Sequence, residues 1–410
     1  MQTSLQEIQE TIGRMERQFP WYKEQVAFQR GKRVGDAALE SLPLITASML
    51  EAHYYAANNP MAERIDLHRY RTSGTSSGRR KTIFYSESDE EAYMRIKLEV
   101  FRTILGTGTY RTALADMGTG HAEATAVEVF RRLGMEVESL SFQLPIEQHI
   151  ERLASFKPEV LYTMPSILDR ILLASGDPAA YGIRHIILVG EIASPGWRSR
   201  VAERMGIGVE QITDTYGSIE IGTIAYWSHV HGRYLFAEGI IAEGAGTDAL
   251  GEDLEPLSDE KEQVLILTST VRDSFPALRY VTYDVVRDLR PILVNGSLRQ
   301  SFQSMVKRIG PDLKHGEKIS IYDIEDVVYR HLSEANVRVK VSGNLLQVYV
   351  YSPNAAPTVL ASIRNDLEHR IPEIGTMIQS RILEGIQVNG AAFDDSLTRS
   401  AVKNKKIFYT

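Results

Sequence analysis

The sequence contains no cysteine among its 410 residues. This absence excludes disulfide bonds, a thiol nucleophile and a cysteine-bound metal, and it is typical of a cytosolic protein. The chain also lacks a run of about 18 apolar residues, which a membrane-spanning helix needs, so we expect no membrane partner. Its formal net charge of −7 provides no electrostatic attraction to nucleic acid.

The first residues lack a basic segment followed by an apolar core, so we expect no signal peptide and a cytoplasmic location. The composition, 43% apolar and 24% charged, is that of a globular protein. Because the chain is too long for one small domain, we expect two or three lobes.

The most informative stretch is a run of small hydroxyl residues and glycines that ends in three cations. Glycines let backbone N–H groups turn towards an anion, and cationic side chains pair with phosphate oxygens. A flexible linker has a similar composition, but β-prone segments flank the run, so we predict an ordered phosphate-binding loop. The glycine spacing is not that of a Walker loop, which argues against a P-loop kinase or NTPase. The run consists of Thr72, Ser73, Gly74, Thr75, Ser76, Ser77, Gly78, Arg79, Arg80 and Lys81.

After this loop the sequence alternates predicted strands and helices. An amphipathic helix is predicted from Ser88, whose hydroxyl would cap it, to Leu105. The later alternation predicts a mostly parallel sheet with helices on both faces. Residues 223–300 are richer in strand and turn signals. The last hundred residues predict a small α+β domain, in which Asp323 caps a helix.

Several candidate residues directly follow predicted strands. Ligands of parallel α/β sheets bind beyond the carboxyl ends of the strands. His121 follows one such strand and is a candidate substrate contact, and a surface histidine at a helix start is the alternative. Met164 and Pro165 follow another predicted strand and are placed with His121 in a candidate substrate pocket.

A second informative stretch carries a carboxylate, an aromatic ring and two glycines, and we expect it to be a loop. Tyr216 can stack on a base, and Glu220 can hold Mg²⁺. The alternative is a β-turn with an incidental tyrosine. The stretch consists of Asp214, Thr215, Tyr216, Gly217, Ser218, Ile219, Glu220, Ile221 and Gly222.

Asp284 follows a third patterned segment that contains Pro276, Arg279 and Tyr280. A carboxylate suits a vicinal diol, because it accepts two hydrogen bonds at once. The alternative is an ordinary turn residue after a strand. The basic tail around Lys403, Lys405 and Lys406 is, from composition alone, a solvated segment.

Together these stretches resemble the acyl-adenylate-forming (AMP-binding) enzymes, and they are most similar to the phenylacetate–CoA ligase branch. The loop matches the family's phosphate loop except at Arg79, and the second stretch matches except at Ile219. The third segment matches except at Tyr283, where the family has glycine. The tail matches the family's final motif at Leu397, Arg399, Ser400 and Lys403.

The resemblance implies a large N-terminal domain, residues 1–306, and a small mobile C-terminal domain, residues 307–410. It implies ATP and Mg²⁺ as cofactors, with Glu220 as the metal ligand and with Lys403 and Arg80 as catalytic residues. Asp284 would hold the ribose together with Lys307 or Arg308, a choice that stays open. The remaining nucleotide contacts would come from the loop residues Thr72 to Gly78 and from Gly190, Glu191, Asp214, Thr215, Tyr216, Gly217 and Ser218.

The implied reaction activates a small carboxylic acid, of the aromatic type common in this branch, to acyl-AMP with release of pyrophosphate. The acyl group then passes to the thiol of CoA. One alternative is an aryl-acid–AMP ligase that loads the phosphopantetheine of a carrier protein. Another is a non-catalytic nucleotide-binding relative, suggested by the departures at Arg79, Ile219 and Tyr283 and by Ile321, where the family has proline.

Overall fold

The computed structural model describes most of the chain. The described residues are 5–30, 39–56, 59–71, 81–118, 121–251, 254, 256–309, 321–332, 335–342, 345–379, 383–391 and 407–409. Residues 72–80 of the predicted phosphate loop, and Lys403, lie outside these ranges.

The elements follow one another in chain order. The helices are α1 (Leu5–Gln18), α2 (Pro20–Arg30), α3 (Ala47–Met49), α4 (Glu87–Leu105), α5 (His121–Arg132), α6 (Ile146–Phe156), α7 (Pro165–Ala174), α8 (Pro195–Met205), α9 (Ile321–His331), α10 (Pro357–Arg370) and α11 (Pro372–Gln379). The strands are β1 (His68–Arg71), β2 (Thr82–Tyr85), β3 (Thr112–Asp116), β4 (Glu136–Leu140), β5 (Val160–Thr163), β6 (His185–Leu188), β7 (Ile212–Ser218), β8 (Gly222–Ser228), β9 (Arg233–Phe236), β10 (Ile240–Ala245), β11 (Glu262–Ser269), β12 (Tyr280–Arg287), β13 (Arg290–Val294), β14 (Ser297–Phe302), β15 (Ser304–Arg308), β16 (Asn336–Ser342), β17 (Leu345–Tyr351), β18 (Gly385–Ala391) and β19 (Ile407–Tyr409).

The chain divides into two compact units. The first unit comprises Met1–Gly106 and Thr215–His315, and the second comprises Thr107–Asp214 and Gly316–Thr410. The chain therefore passes from the second unit back to the first within β7. The two units are defined by how compactly their residues pack. The predicted boundary between residues 306 and 307 separates a domain expected to move, and it stays a prediction.

In the first unit, β1 and β2 form an antiparallel hairpin in which Arg71 lies opposite Thr82. The predicted phosphate loop therefore connects two paired strands, as its flanking residues indicated. Upstream of the hairpin, α3 continues into a π-helical turn, Leu50–Tyr54. Such turns are rare in proteins and are found disproportionately at functional sites.

The β-rich part of the first unit contains two groups of antiparallel strands. One sheet has the order β10-β11-β12-β15. In the other, β13, β14, β9 and β8 are neighbours in that order, and β8 pairs with the last four residues of β7. The strand-rich composition of residues 223–300 correctly predicted this part.

The second unit contains the parallel sheet that the alternating pattern predicted. Its order is β6-β5-β3-β4, and the first three residues of β7 pair with β6. All residues of β5 and β6 are buried. This burial is expected of parallel strands whose two faces are both covered by helices.

The C-terminal segment of the second unit is α+β, as predicted. Its sheet has the order β18-β17-β16-β19, and β16 and β17 form an antiparallel hairpin. Fully buried side chains of α9, α10 and the sheet form its core, including Ile324, Val328, Val337, Val348, Ile363 and Leu367.

Three local predictions were wrong. Helix α4 begins two residues earlier than predicted, because Ser86 caps it and Asp89 completes a capping box. Asp323 lies within the first turn of α9 rather than at its cap. A negative charge in the first turn still interacts favourably with the helix dipole. Residues 214–218 belong to β7 and not to a loop, because only three residues separate β7 from β8.

None of the described helices is both long enough and apolar enough to cross a membrane.

Candidate active site

The described candidate residues form two groups, one in each compact unit, and each group is considered by itself. The first unit carries Thr215, Tyr216, Gly217, Ser218, Glu220, Asp284, Lys307 and Arg308, and the second carries His121, Met164, Pro165, Gly190, Glu191 and Asp214. The roles of loop residues 72–80 and of Lys403 stay predictions, because these residues lie outside the described ranges.

In the first unit the structure brings Tyr216 and Asp284 together from different strands. The hydroxyl of Tyr216 donates a hydrogen bond to Oδ2 of Asp284 at 2.6 Å. Burial raises the pKa of Tyr216, and the carboxylate of Asp284 raises it further. The phenol therefore stays protonated near neutral pH and acts as the donor. The pair fixes one oxygen of Asp284 and leaves acceptor capacity on the other.

Arg308, and not Lys307, accompanies Asp284. In the β12–β15 pair Asp284 lies opposite Arg308, and Val285 lies opposite Lys307. Opposed residues share one face of a sheet, while successive residues alternate between faces. Nε of Arg308 lies 3.9 Å from Oδ1 of Asp284, and this carboxylate raises the pKa of the guanidinium. The ribose role of either cation stays a prediction.

Glu220 occupies the turn between β7 and β8, and its neighbours hold the turn through backbone atoms. The hydroxyl of Tyr85 donates to the carbonyl of Ile219 at 2.7 Å, and Nε of Arg272 donates to the carbonyl of Glu220 at 2.9 Å. Within the described part of the chain, the carboxylate of Glu220 takes part in no hydrogen bond or ion pair. It is therefore available to a cation.

The donor chemistry of this site fits Mg²⁺. Among the described residues, no group of three or more carboxylate or imidazole side chains is placed to hold a metal. Mg²⁺ is commonly held by one or two carboxylates together with substrate phosphates, so a single carboxylate such as Glu220 suits a nucleotide-bound ion.

The pKa of Tyr280 is affected by both Glu220 and Asp284, whereas that of Tyr55 is affected by Glu220 alone of the two. Burial raises the pKa values of Tyr55 and Tyr280, and the carboxylate of Glu220 is the next cause in both. Asp284 also raises the pKa of Tyr280. Tyr280 is therefore close enough to both carboxylates for each of them to affect its pKa.

A buried ion pair beneath the Glu220 turn was not predicted from the sequence. Nη1 of Arg272 lies 2.5 Å from Oδ2 of Asp89, and both side chains are almost fully buried. The guanidinium also lies over the ring of Tyr85, 3.7 Å from its centroid. Asp89 has a sequence signal as a helix-start residue, but its pairing with Arg272 connects segments too distant for any local pattern to reveal.

The glycines around the Glu220 turn have structural reasons. A Cβ atom on Gly217 would lie 2.7 Å from the carbonyl oxygen of Gly222, and one on Gly222 would lie 2.8 Å from the ring of Tyr93. Gly222 also has φ +98°, which favours glycine. Close packing of β7 on β8 therefore requires Gly217, whereas the positive φ and the contact with Tyr93 of α4 require Gly222. A nucleotide contact at Gly217 stays a prediction.

In the second unit the candidate residues follow the carboxyl ends of neighbouring parallel strands. Met164 and Pro165 come directly after β5, Gly190 and Glu191 follow β6, and His121 begins α5 after β3. The strand-end placement expected from the sequence is therefore present.

Glu191 accepts hydrogen bonds from the first turn of α7. Its carboxylate accepts hydrogen bonds from the backbone N–H and the hydroxyl of Ser166, at 2.8 and 2.9 Å. A carboxylate at a helix N-terminus is favoured by the helix dipole. Met164 is 4% exposed and Asp214 is 3% exposed, so both are mainly part of the core in this structure.

A buried dyad at the same strand edge was also missed. Nδ1 of His149 lies 2.7 Å from Oδ1 of Asp116, the last residue of β3, and both side chains are buried. Burial raises the pKa of Asp116, although the histidine lowers it in part. The sequence carries no signal for this pairing, because His149 lies in an ordinary amphipathic helix.

Comparisons with known proteins agree with this fold. Residues 314–394 match the family described as the fumarate–diaminopropanoate ligase C-terminal domain. A fumarate–(S)-2,3-diaminopropanoate ligase from Enterobacter agglomerans is 38% identical over 370 residues, which cover 90% of this chain and 91% of that protein. The phenylacetate–coenzyme A ligase of Thermus thermophilus is 25% identical over 271 residues, which cover 61% of this chain and 57% of that protein.

A solved structure of 2-hydroxyisobutyryl-CoA ligase in its postadenylation state has a similar fold. The TM-score is 0.77 at 15% identity, and the match covers 99% of this chain and 88% of that chain. The chain therefore belongs to the acyl-adenylate-forming ligases, in the family of the Enterobacter fumarate–diaminopropanoate ligase. This finding confirms the superfamily that the sequence motifs indicated.

Proposed function

We propose that this protein forms an amide between a small dicarboxylic acid, fumarate or a close analogue, and an amino group of a short amino acid such as 2,3-diaminopropanoate. The observation that carries the proposal is the 38% identity to the Enterobacter ligase over 90% of this chain. The match of residues 314–394 to the C-terminal domain family of such ligases supports it.

The proposed reaction has two steps. A carboxylate oxygen of the acid attacks the α-phosphorus of ATP, the bond to pyrophosphate breaks, and acyl-AMP forms. The acid needs no general base, because a carboxylic acid is ionised near pH 7. The amine nitrogen then attacks the acyl carbon, AMP leaves with the bridging oxygen, and the nitrogen loses a proton.

The residues of the first unit would bind the nucleotide for both steps. Asp284 would accept hydrogen bonds from the ribose hydroxyls, with Tyr216 and Arg308 holding its carboxylate in place. Glu220 would hold Mg²⁺, which would neutralise developing charge on the phosphate oxygens. Arg80 and Lys403 are proposed to stabilise the same charge from the phosphate loop and the tail.

A second candidate is the thiol ligase first expected, which transfers an aromatic acyl group to CoA. The similarity to the Thermus phenylacetate–coenzyme A ligase favours it, although that match covers 61% of this chain. A carrier-protein phosphopantetheine as acceptor and a non-catalytic role are further outcomes of the same experiment.

The experiment combines two acids with several acceptors. The full-length protein is incubated with ATP and Mg²⁺, with fumarate or phenylacetate, and with (S)-2,3-diaminopropanoate, CoA or a phosphopantetheinylated carrier protein. We expect AMP release and a condensed amide, identified by mass, with fumarate and the diamine.

Other outcomes of this experiment would contradict the proposal. AMP release with phenylacetate and CoA alone would replace amide formation by thiol ligation, and transfer to the carrier protein would replace it by carrier loading. ATP binding without acid-dependent pyrophosphate exchange would support a non-catalytic relative.

A further inference from the structure

Tyr283, the residue before Asp284, has a strained backbone conformation. Its φ is +61°, in the left-handed region that bulky residues rarely occupy. Its side chain is nevertheless 5% exposed and packs in a cluster with Val281, Val285 and Val306. Such strain persists only where the surrounding structure holds it in place, and it is concentrated at functional sites.

The strain belongs to an irregularity in β12. Ile266 of β11 pairs with Val281 and Val264 pairs with Val285, so residues 282–284 lie opposite a single residue. The hydroxyl of Thr282 donates to the carbonyl of Leu265 at 2.8 Å and accepts the N–H of Asp284 at 3.1 Å. Irregularities of this kind redirect side chains and occur next to active sites.

The hydroxyl of Tyr283 holds this arrangement from a distant part of the chain. It accepts the backbone N–H of Ala47, the first residue of α3, at 2.9 Å. An N–H group in the first turn of a helix has no partner within the helix, so the phenol satisfies a donor that needs one. The carbonyl of Tyr283 accepts the N–H of Ile309 at 2.8 Å.

The segment that contains Ala47 also contacts Lys81, the last residue of the predicted phosphate loop. Helix α3 continues into the π-helical turn, whose Glu51 pairs with Nζ of Lys81 at 2.6 Å. The same Nζ lies over the ring of Tyr55, 4.7 Å from its centroid. Tyr283, the chain neighbour of Asp284, is thus hydrogen-bonded to the segment that contacts Lys81.

We propose that Tyr283 is a positioning residue of the nucleotide site, whose strained backbone, held by the hydrogen bond from Ala47, orients the carboxylate of Asp284 towards Tyr216 and Arg308. The inference rests on the proposed role of Asp284 at the ribose. Tyr283 itself is assigned no contact with the nucleotide. Glycine, which the resembled family has at this position, can adopt a φ of this kind without strain, whereas this chain has a hydrogen-bonded tyrosine there.

The test removes the hydrogen bond from each of its two sides. Tyr283→Phe removes the acceptor, and Ala47→Pro removes the donor at a helix position that tolerates proline. Either variant should bind ATP about 3–10-fold more weakly, the range expected for one hydrogen bond. KM for ATP should rise accordingly, with kcat of pyrophosphate exchange close to the wild-type value. The double variant should be no weaker than the weaker single variant, because both lose the same bond.

The matched control is Tyr181→Phe. The hydroxyl of Tyr181 lies 2.6 Å from that of Ser175 in the second unit, and the side chain is 7% exposed. This variant should lose thermal stability and keep its ATP affinity. Wild-type ATP affinity in Tyr283→Phe, or fully additive losses in the double variant, would overturn the inference.

Asp284→Ala separates this inference from the proposed function. If Asp284→Ala binds ATP as the wild type does, the proposed ribose site is wrong. If Asp284→Ala weakens binding while Tyr283→Phe does not, the site stands and the positioning role fails.

Discussion

Glu220 shows how a single residue can be tested as a metal ligand. The backbone of its turn is held by Tyr85 at Ile219 and by Arg272 at Glu220, so a change at the carboxylate should leave the turn in place. Glu220→Gln keeps the shape and removes the charge that a hard cation prefers. We expect pyrophosphate exchange to need several-fold more Mg²⁺ for half-maximal rate.

The control for this prediction is Glu260→Gln, a change of the same kind at an exposed residue of the first unit. Its Mg²⁺ dependence should match that of the wild type. If Glu220→Gln also matches the wild type, the metal is held by other groups.

At the residue scale, the sequence proposed candidate side chains but did not reveal which of them interact. Tyr216, Glu220 and Asp284 carried recognisable motifs. That Arg308, and not Lys307, lies beside Asp284 follows from the strand register, because a shift of one residue moves a side chain to the other face of the sheet. The dyad of Asp116 and His149 left no local pattern at all.

At the scale of the element, α4 provides a prediction about pH. Lys97 lies in this helix, is 2% exposed and has its Nζ over the rings of Tyr93 and Phe101. Burial lowers the pKa of Lys97 to about 7. The unfolded chain therefore binds one more proton than the folded protein between about pH 7 and pH 10.4, and the free energy of unfolding should rise with pH in this window.

The measurement compares the wild type with Lys97→Met by thermal unfolding at pH 7.5 and pH 9.5. Methionine keeps much of the apolar stem and removes the titrating amine. We expect the melting temperature of the wild type to rise relative to that of the variant as the pH increases. An unchanged difference would mean that Lys97 does not titrate in this window.

Capping residues explain where some helices begin. Ser194 caps α8, and Pro195 is its first residue, a position at which proline is favoured. Helix α4 begins earlier than expected, because Ser86 caps it and Asp89 completes the capping box. Asp89 also accepts the N–H groups of Asp273 and Ser274, and these tertiary contacts were not visible in the local pattern.

At the scale of the whole molecule, the sequence pattern correctly predicted the parallel sheet, the β-rich part and the α+β C-terminal segment. Periodicity carries this information, because each element must bury one face. The membership of the two compact units was not predicted. Each unit combines two distant segments of the chain, and no local pattern specifies such pairing.

If residues 307–410 form a mobile domain, Lys403 can be tested for a role in adenylation that is separate from acyl transfer. If this lysine serves adenylation alone, Lys403→Ala should lower acid-dependent pyrophosphate exchange by ~10²–10³, the size expected for one preorganised charge donor. Transfer from chemically synthesised acyl-AMP should stay near the wild-type rate.

Lys405→Ala and Lys406→Ala are the matched controls, and both should be nearly silent in the two assays. Normal exchange in Lys403→Ala, or a crippled Lys405→Ala, would show that another lysine of the tail has the adenylation role.

The most direct test of the acyl-adenylate mechanism follows the oxygen atoms of the acid. Full-length protein is supplied with ATP, Mg²⁺, carboxyl-¹⁸O-labelled fumarate and (S)-2,3-diaminopropanoate, and the nucleotide products are analysed by mass spectrometry. Attack of the carboxylate on the α-phosphorus, followed by cleavage of the acyl–oxygen bond, predicts pyrophosphate and AMP that carries one labelled oxygen. ADP together with labelled inorganic phosphate would contradict the account, because the acid would then have been activated as an acyl phosphate.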